Sequence, residues 1–124
     1  MAAMAAGCNN YKIAPENSSF SVSSHVAKAD AGGVELYLNI IEGAIDGECV
    51  LSINIWKGGK AVAGYQVLAN GRTRLEKDGK WQFDRNGDAM FLITGLDAGK
   101  YEMDITVDRW YHSASTKATF TVTF

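Results

Sequence analysis

Apolar and polar residues alternate along most of this chain, and the alternation has period two. "FSVSSHVA" puts Phe20, Val22, Ser24 and Val26 on one face, and "GVELYLNIIE" sets Val34, Leu36, Leu38 and Ile40 against Glu35, Tyr37, Asn39 and Ile41. "ECVLSINIWK" does the same with Cys49, Leu51, Ile53 and Ile55 opposite Val50, Ser52, Asn54 and Trp56. Successive strand residues point to opposite faces of a sheet, so each stretch predicts a half-buried strand. "AVAGYQVLA" predicts a weaker strand, and "RTRLE", "KWQFD" and "AMFLIT" shorter ones. In "TGLDAGKYEMDITVD", Tyr101, Met103, Ile105 and Val107 alternate with Glu102, Asp104 and Thr106. "KATFTVTF" closes the chain with Ala118, Phe120, Val122 and Phe124 on the core side. Turn residues separate these runs: "ADAGG", "AIDG", "GGK", "KDGK", Asn70-Gly71 and Asn86-Gly87. The two Asn-Gly pairs are hairpin signals, because both central positions of a type I′ turn need positive φ. No stretch carries an apolar stripe of helical period.

Eight or nine strands with turn signals mostly 8–12 residues apart predict an all-β antiparallel sandwich. One detail narrows the topology. Tyr101 opens a late strand just after the turn Asp97-Ala98-Gly99, which is the setting of the tyrosine corner of immunoglobulin-like sandwiches. The expected fold is therefore an immunoglobulin-like sandwich of about 7–9 strands. Residues 19–124 form its single domain, and residues 1–18 form a leader and polar tether. Trp56, late in the third strand, resembles the core tryptophan of such domains. No inter-sheet cysteine pair accompanies it, so Leu38 and Met103 or Ile105 are expected to fill that space.

With 124 residues the chain is long enough for one domain with a real core. A formal charge of −2 offers no basic face to nucleic acid. The two cysteines, Cys8 and Cys49, could pair only with each other. One lies in the leader and the other in an apolar strand. The simpler reading leaves Cys49 a buried thiol that behaves as a small hydrophobe.

Chemistry is sparse. His25 and His112 lie far apart in sequence, neither beside a cysteine or a G-x-S-x-G turn, and Glu35, Glu42, Glu102 and Asp104 read as solvated strand faces. No catalytic set, cofactor or metal is assigned. "DRNGDAM" spaces Asp84, Asn86 and Asp88 like the start of a calcium loop. Its glycine comes too early and Gly95 stands where the closing glutamate belongs, so the hairpin reading is preferred. "VDRWYHSAS" carries Arg109, Trp110, Tyr111 and His112 between the last two strands. Those residue types dominate binding hot spots, and sandwich-end loops are common recognition surfaces. Against that, Trp110 or Tyr111 can fold back to cap the core. The expectation is a buried Trp110 and an exposed Tyr111.

The chain opens "MAAMAAGCNNYK". Ala5, Ala6 and Gly7 before Cys8 fit the end of a bacterial lipoprotein signal, where small residues admit the peptidase to the bond before a lipid-modified cysteine. Ala5 stands where leucine is more usual, and no basic or long apolar segment precedes it. Cys8 followed by a polar tether, then "SSFSV", "GGVELYLNIIEG", "LSINIWKGGK" and "YEMDITVD…ATFTVTF", resembles the TraQ lipoproteins of conjugative transposons. The likeness spans residues 8–57 and 100–124, while the two Asn-Gly hairpins depart from it. It implies a lipid anchor on Cys8 and a place in the cell envelope, facing the periplasm or the exterior. The partner it implies is a protein, with no nucleic acid and with membrane contact only through the lipid. Two other readings stay open: a decorating domain of a virion or surface assembly, and a carbohydrate-binding sandwich that stacks sugars on Trp56, Trp81 or Trp110.

Overall fold

The computed structural model describes residues 20–43, 48–75, 80–82, 88–109 and 112–124. Its strands are β1 (Phe20–Asp30), β2 (Gly33–Gly43), β3 (Glu48–Lys57), β4 (Lys60–Ala61), β5 (Gln66–Ala69), β6 (Thr73–Arg74), β7 (Lys80–Gln82), β8 (Asp88–Thr94), β9 (Gly99–Arg109) and β10 (His112–Val122). Ten strands among the described residues exceed the expected number, because three of them hold only two or three residues.

The strands form two antiparallel sheets. One has the order β1-β2-β8-β5-β6, and the other β10-β9-β3-β4, with β7 also pairing β3. The first four strands of one sheet and the β10-β9-β3 edge of the other reproduce the ABED and GFC sheets of the immunoglobulin sandwich, with β4 as the added C′ strand. The expected fold is therefore present. Its D-to-E connection carries two extra strands, β6 and β7, one on each sheet.

Alternation places the core as the pattern predicts. Leu36, Phe91, Met103, Ile105 and Val107 are completely buried between the sheets, joined by Val34, Leu38, Cys49, Leu51, Ile55, Ile93 and Val122. Each large apolar side chain so placed contributes about 1.5–3 kcal/mol. Leu38, Met103 and Ile105 are all members of this core. Cys49 is a buried thiol that donates to the Trp81 carbonyl at 3.2 Å.

Three expectations need correction. "AVAGYQVLA" is not one strand: β4 belongs to one sheet and β5 to the other, and Gly64, at φ 85°, lies in the crossover. Trp56 lies on the outer face of β3, half-buried and apart from the core, since its even-numbered position puts it opposite Ile55. Phe124 lies beyond the end of β10 and is 78% exposed, off the core side on which the alternation had placed it.

The turns follow their residues. Asn70 and Gly71 take φ of 54° and 70°, and Arg72 N donates to Ala69 O at 3.1 Å, as the Asn-Gly signal requires. Asn86-Gly87, "AIDG" and most of "KDGK" lie outside the described residues. The tyrosine corner is formed. Tyr101 is 4% exposed, its hydroxyl donates to Asp97 O at 2.6 Å, and its ring stacks on Phe120 with centroids 5.5 Å apart. Lys57 crosses from β3 to donate to Ala98 O at 3.0 Å, its ammonium 5.4 Å from the Tyr101 ring centre. Two successive carbonyls of one corner are thereby tied.

Candidate functional site

Strands β9 and β10 pair without interruption from Gly99↔Val122 to Arg109↔His112. Arg109 and His112 are therefore strand ends, and His112 is not the loop residue the sequence suggested. The link between them is Trp110 and Tyr111, which lie outside the described residues, as do Cys8, Asp84 and Asn86. The expected burial of Trp110 falls there too.

The position of this end within the domain follows from the seam between the sheets. Ser24 on β1 and Thr116 on β10 share a hydrogen bond of 3.3 Å, and further along Asp30 bridges Thr123 in parallel, with Thr123 N donating to Ala29 O at 3.3 Å. Since β1 and β10 run the same way, their first residues, Phe20 and His112, lie at one end of the sandwich. The chain therefore enters the domain beside the Arg109–His112 link, and Phe124 lies at the opposite end.

No catalytic constellation forms among the described residues. His25 is exposed on β1 opposite Tyr37, on a different sheet from His112. The Cys49 thiol lies inside the core, away from any substrate. Glu102 and Asp104 share the outer face of β9, where Lys117 holds Asp104 at 3.1 Å. No three His, Cys, Asp or Glu residues gather to hold a metal ion among the described residues. Asp88, the described member of the calcium-like triplet, accepts a hydrogen bond from the Asn39 side-chain amide.

The tryptophans divide. Trp81 packs on Phe91, ring centres 5.1 Å apart at 59°, so its ring belongs to the core and offers no platform. Trp56 faces outward, with Glu102 opposite it on β9. Glu102 in turn lines an open groove of about 500 Å³, together with Gly58, Gly59, Lys100, Thr119 and Thr121 among others.

The other outer face differs. On the β1-β2-β8-β5-β6 sheet, Leu68, Met90 and Leu92 are half-buried without packing on the core, and Tyr37 is 42% exposed. The sequence pattern passed over this patch. Its signal is the unbroken apolar run of "AMFLIT", which supplies more apolar side chains than one buried face can take.

No family model matches the chain, and no curated protein matches it. Among solved structures it is similar to a conjugative transposon lipoprotein from Bacteroides eggerthii. That match covers 82% of this chain and 98% of the other, at 11% identity and a TM-score of 0.49.

Proposed function

We propose that this protein is a non-catalytic lipoprotein of the cell envelope, an immunoglobulin-like interaction domain held to the membrane through Cys8. It faces the periplasm or the exterior, and its partner is a protein. The observation that carries the reading is the sequence Ala5-Ala6-Gly7-Cys8, followed by polar residues and then by a sandwich whose first strand starts at Phe20. The resemblance to the TraQ lipoproteins extends it to an accessory role in conjugative transfer. The stretch from Cys8 to Phe20 reaches at most roughly 40 Å when fully extended. An anchored domain would therefore turn the Arg109–His112 end toward the membrane and leave both sheet faces and the Phe124 end available to partners. Metabolic labelling with a fatty-acid probe tests the anchor. Label is expected on the wild type and absent from Cys8→Ala; equal labelling of the two overturns the reading.

A second reading has one observation in its favour. Trp56 is half-buried on the outer face of β3, and directly opposite it on β9 is Glu102, a residue that lines an open groove. An aromatic face and a hydrogen-bonding carboxylate are therefore neighbours, as a sugar-stacking site would need. A glycan array with no hits, together with tryptophan fluorescence unchanged by added glycans, would exclude it.

A further inference from the structure

Two neighbouring rows of side chains cross the outer face of the β1-β2-β8-β5-β6 sheet near the start of β1, and one of them is polar throughout. Ser23 on β1 pairs with Asn39 on β2, and Asn39 pairs with Asp88 on β8. In the next row His25 pairs with Tyr37 and Tyr37 with Met90, while Asn70 N, just beyond β5, donates to Met90 O at 2.6 Å. Directly opposed residues in a sheet point to the same face, so a hydroxyl, an amide and a carboxylate stand in line beside an aromatic ring. His25, Asn39, Asn70 and Asp88 are exposed, and Tyr37 is 42% exposed. Tyr37, Asn39, Asn70, Asp88 and Met90 all line one open groove of about 340 Å³.

The lining says what chemistry fits. This volume is at the small end for a ligand pocket and suits a molecule of about one ring. Tyr37 and Met90 give it an apolar wall. The amides of Asn39 and Asn70 both donate and accept, whereas the Asp88 carboxylate only accepts. The Asn39 amide donates to Asp88, which fixes the two side chains against each other. A carboxylate has about four acceptor sites, so Asp88 can also take a ligand's hydroxyl. Asp88 is the one charged side chain among the described residues that line the groove, so a negatively charged ligand is disfavoured. The molecule that fits has an apolar face, a rim of hydroxyls and no negative charge. A neutral sugar ring has all three. We infer that this groove binds one uncharged pyranose unit of a glycan, stacked on Tyr37 with its hydroxyls bonded to Asn39, Asp88 and Asn70.

The site is independent of the groove at Glu102. Trp56 and Glu102 belong to the other sheet, whose outer face points away from this one. Stacking here falls to a tyrosine, so variants on the two faces separate the two sites. Nor does the groove need the anchor on Cys8. An open site that holds a single sugar binds weakly, with a Kd on the order of 1–10 mM.

The test is saturation-transfer NMR of the full chain carrying Cys8→Ala, with the methyl glycosides of glucose, galactose, mannose and N-acetylglucosamine at millimolar concentration. Transfer to at least one of them is expected. Tyr37→Ala and Asp88→Ala should each weaken that binding by about tenfold, while Tyr37→Phe keeps the ring and the binding. Trp56→Ala, on the opposite face, should leave it unchanged. The methyl glycoside of glucuronic acid, which carries a carboxylate, should bind more weakly than the best neutral sugar. Asp88 is exposed at the start of β8, so its variant should melt like the wild type and reads binding even if Tyr37→Ala lowers stability. No transfer to any of the four neutral glycosides overturns the proposal, as does binding that survives Asp88→Ala or that favours the glucuronide. Binding lost in Trp56→Ala alone also overturns it and assigns the sugar to the groove at Glu102.

Discussion

Replacing Tyr101 with Phe removes one oxygen atom and isolates the tyrosine corner. The ring stays, with its stacking on Phe120 and its place in a site only 4% exposed. What is lost is the hydroxyl's bond to Asp97 O at 2.6 Å. Removing one partner of a buried hydrogen bond costs about 1–3 kcal/mol, because the remaining group is left desolvated and unpaired. Here the acceptor belongs to Asp97, an exposed residue in a turn, so water can reach its carbonyl once the hydroxyl is gone. That places the expected loss in the lower half of the range, about 1–2 kcal/mol. For a domain of this size, 1 kcal/mol corresponds to roughly 4 °C in melting temperature. A thermal melt followed by circular dichroism, with a urea titration to give the free energy, measures both. The m-value should stay constant, since the variant changes no exposed surface in the unfolded chain. Two proteins of equal stability would show that the corner contributes nothing. The bond from Lys57 to Ala98 O would then be the tie that holds the turn.

Two further outcomes follow from the geometry. Gly33, at φ +126°, would place a Cβ 2.8 Å from Leu92 Cδ1 and 3.1 Å from Ile93 O, whereas a Cβ on Gly58, at φ +59°, meets nothing within 4 Å. Gly33→Ala should therefore cost about 1–3 kcal/mol and more than Gly58→Ala in the same urea titration; equal losses would refute the crowding argument. Burial raises the pKa of Tyr65 above its ordinary value of 10.0. Its folded form holds the proton longer than the unfolded form, so the associated stability is fully present below pH 10 and is lost as pH rises through the folded value. Urea midpoints should fall above pH 10 in the wild type and less so in Tyr65→Phe; parallel curves would refute the assignment.

Much of the fold was legible along the chain because a sheet residue's neighbours on the same face sit two positions away. Val34, Leu36 and Leu38 on β2, and Tyr101, Met103, Ile105 and Val107 on β9, are buried as their spacing requires. The Asn70-Gly71 turn and the tyrosine corner were equally readable, since each depends on a few residues in sequence with fixed backbone needs. The candidate site was legible only in residue type. "DRWYHS" identifies aromatic and charged residues near a strand junction, but β9 and β10 pair right up to Arg109 and His112. The length of that pairing is a property of two strands together.

The sequence by itself determined which face of each long strand turns inward, because period-two alternation is written locally and apolar burial outweighs weak strand propensity. The tertiary structure alone decided which strands are neighbours. Only strand pairing divides "AVAGYQVLA" between two sheets, brings Phe20 to the same end as His112, and closes Trp81 onto Phe91. Only pairing gathers Tyr37, Asn39, Asn70 and Asp88, four residues from three separate stretches of chain, around one groove. Hydrogen-bond register between distant strands is a long-range choice, and no local run of residues encodes it.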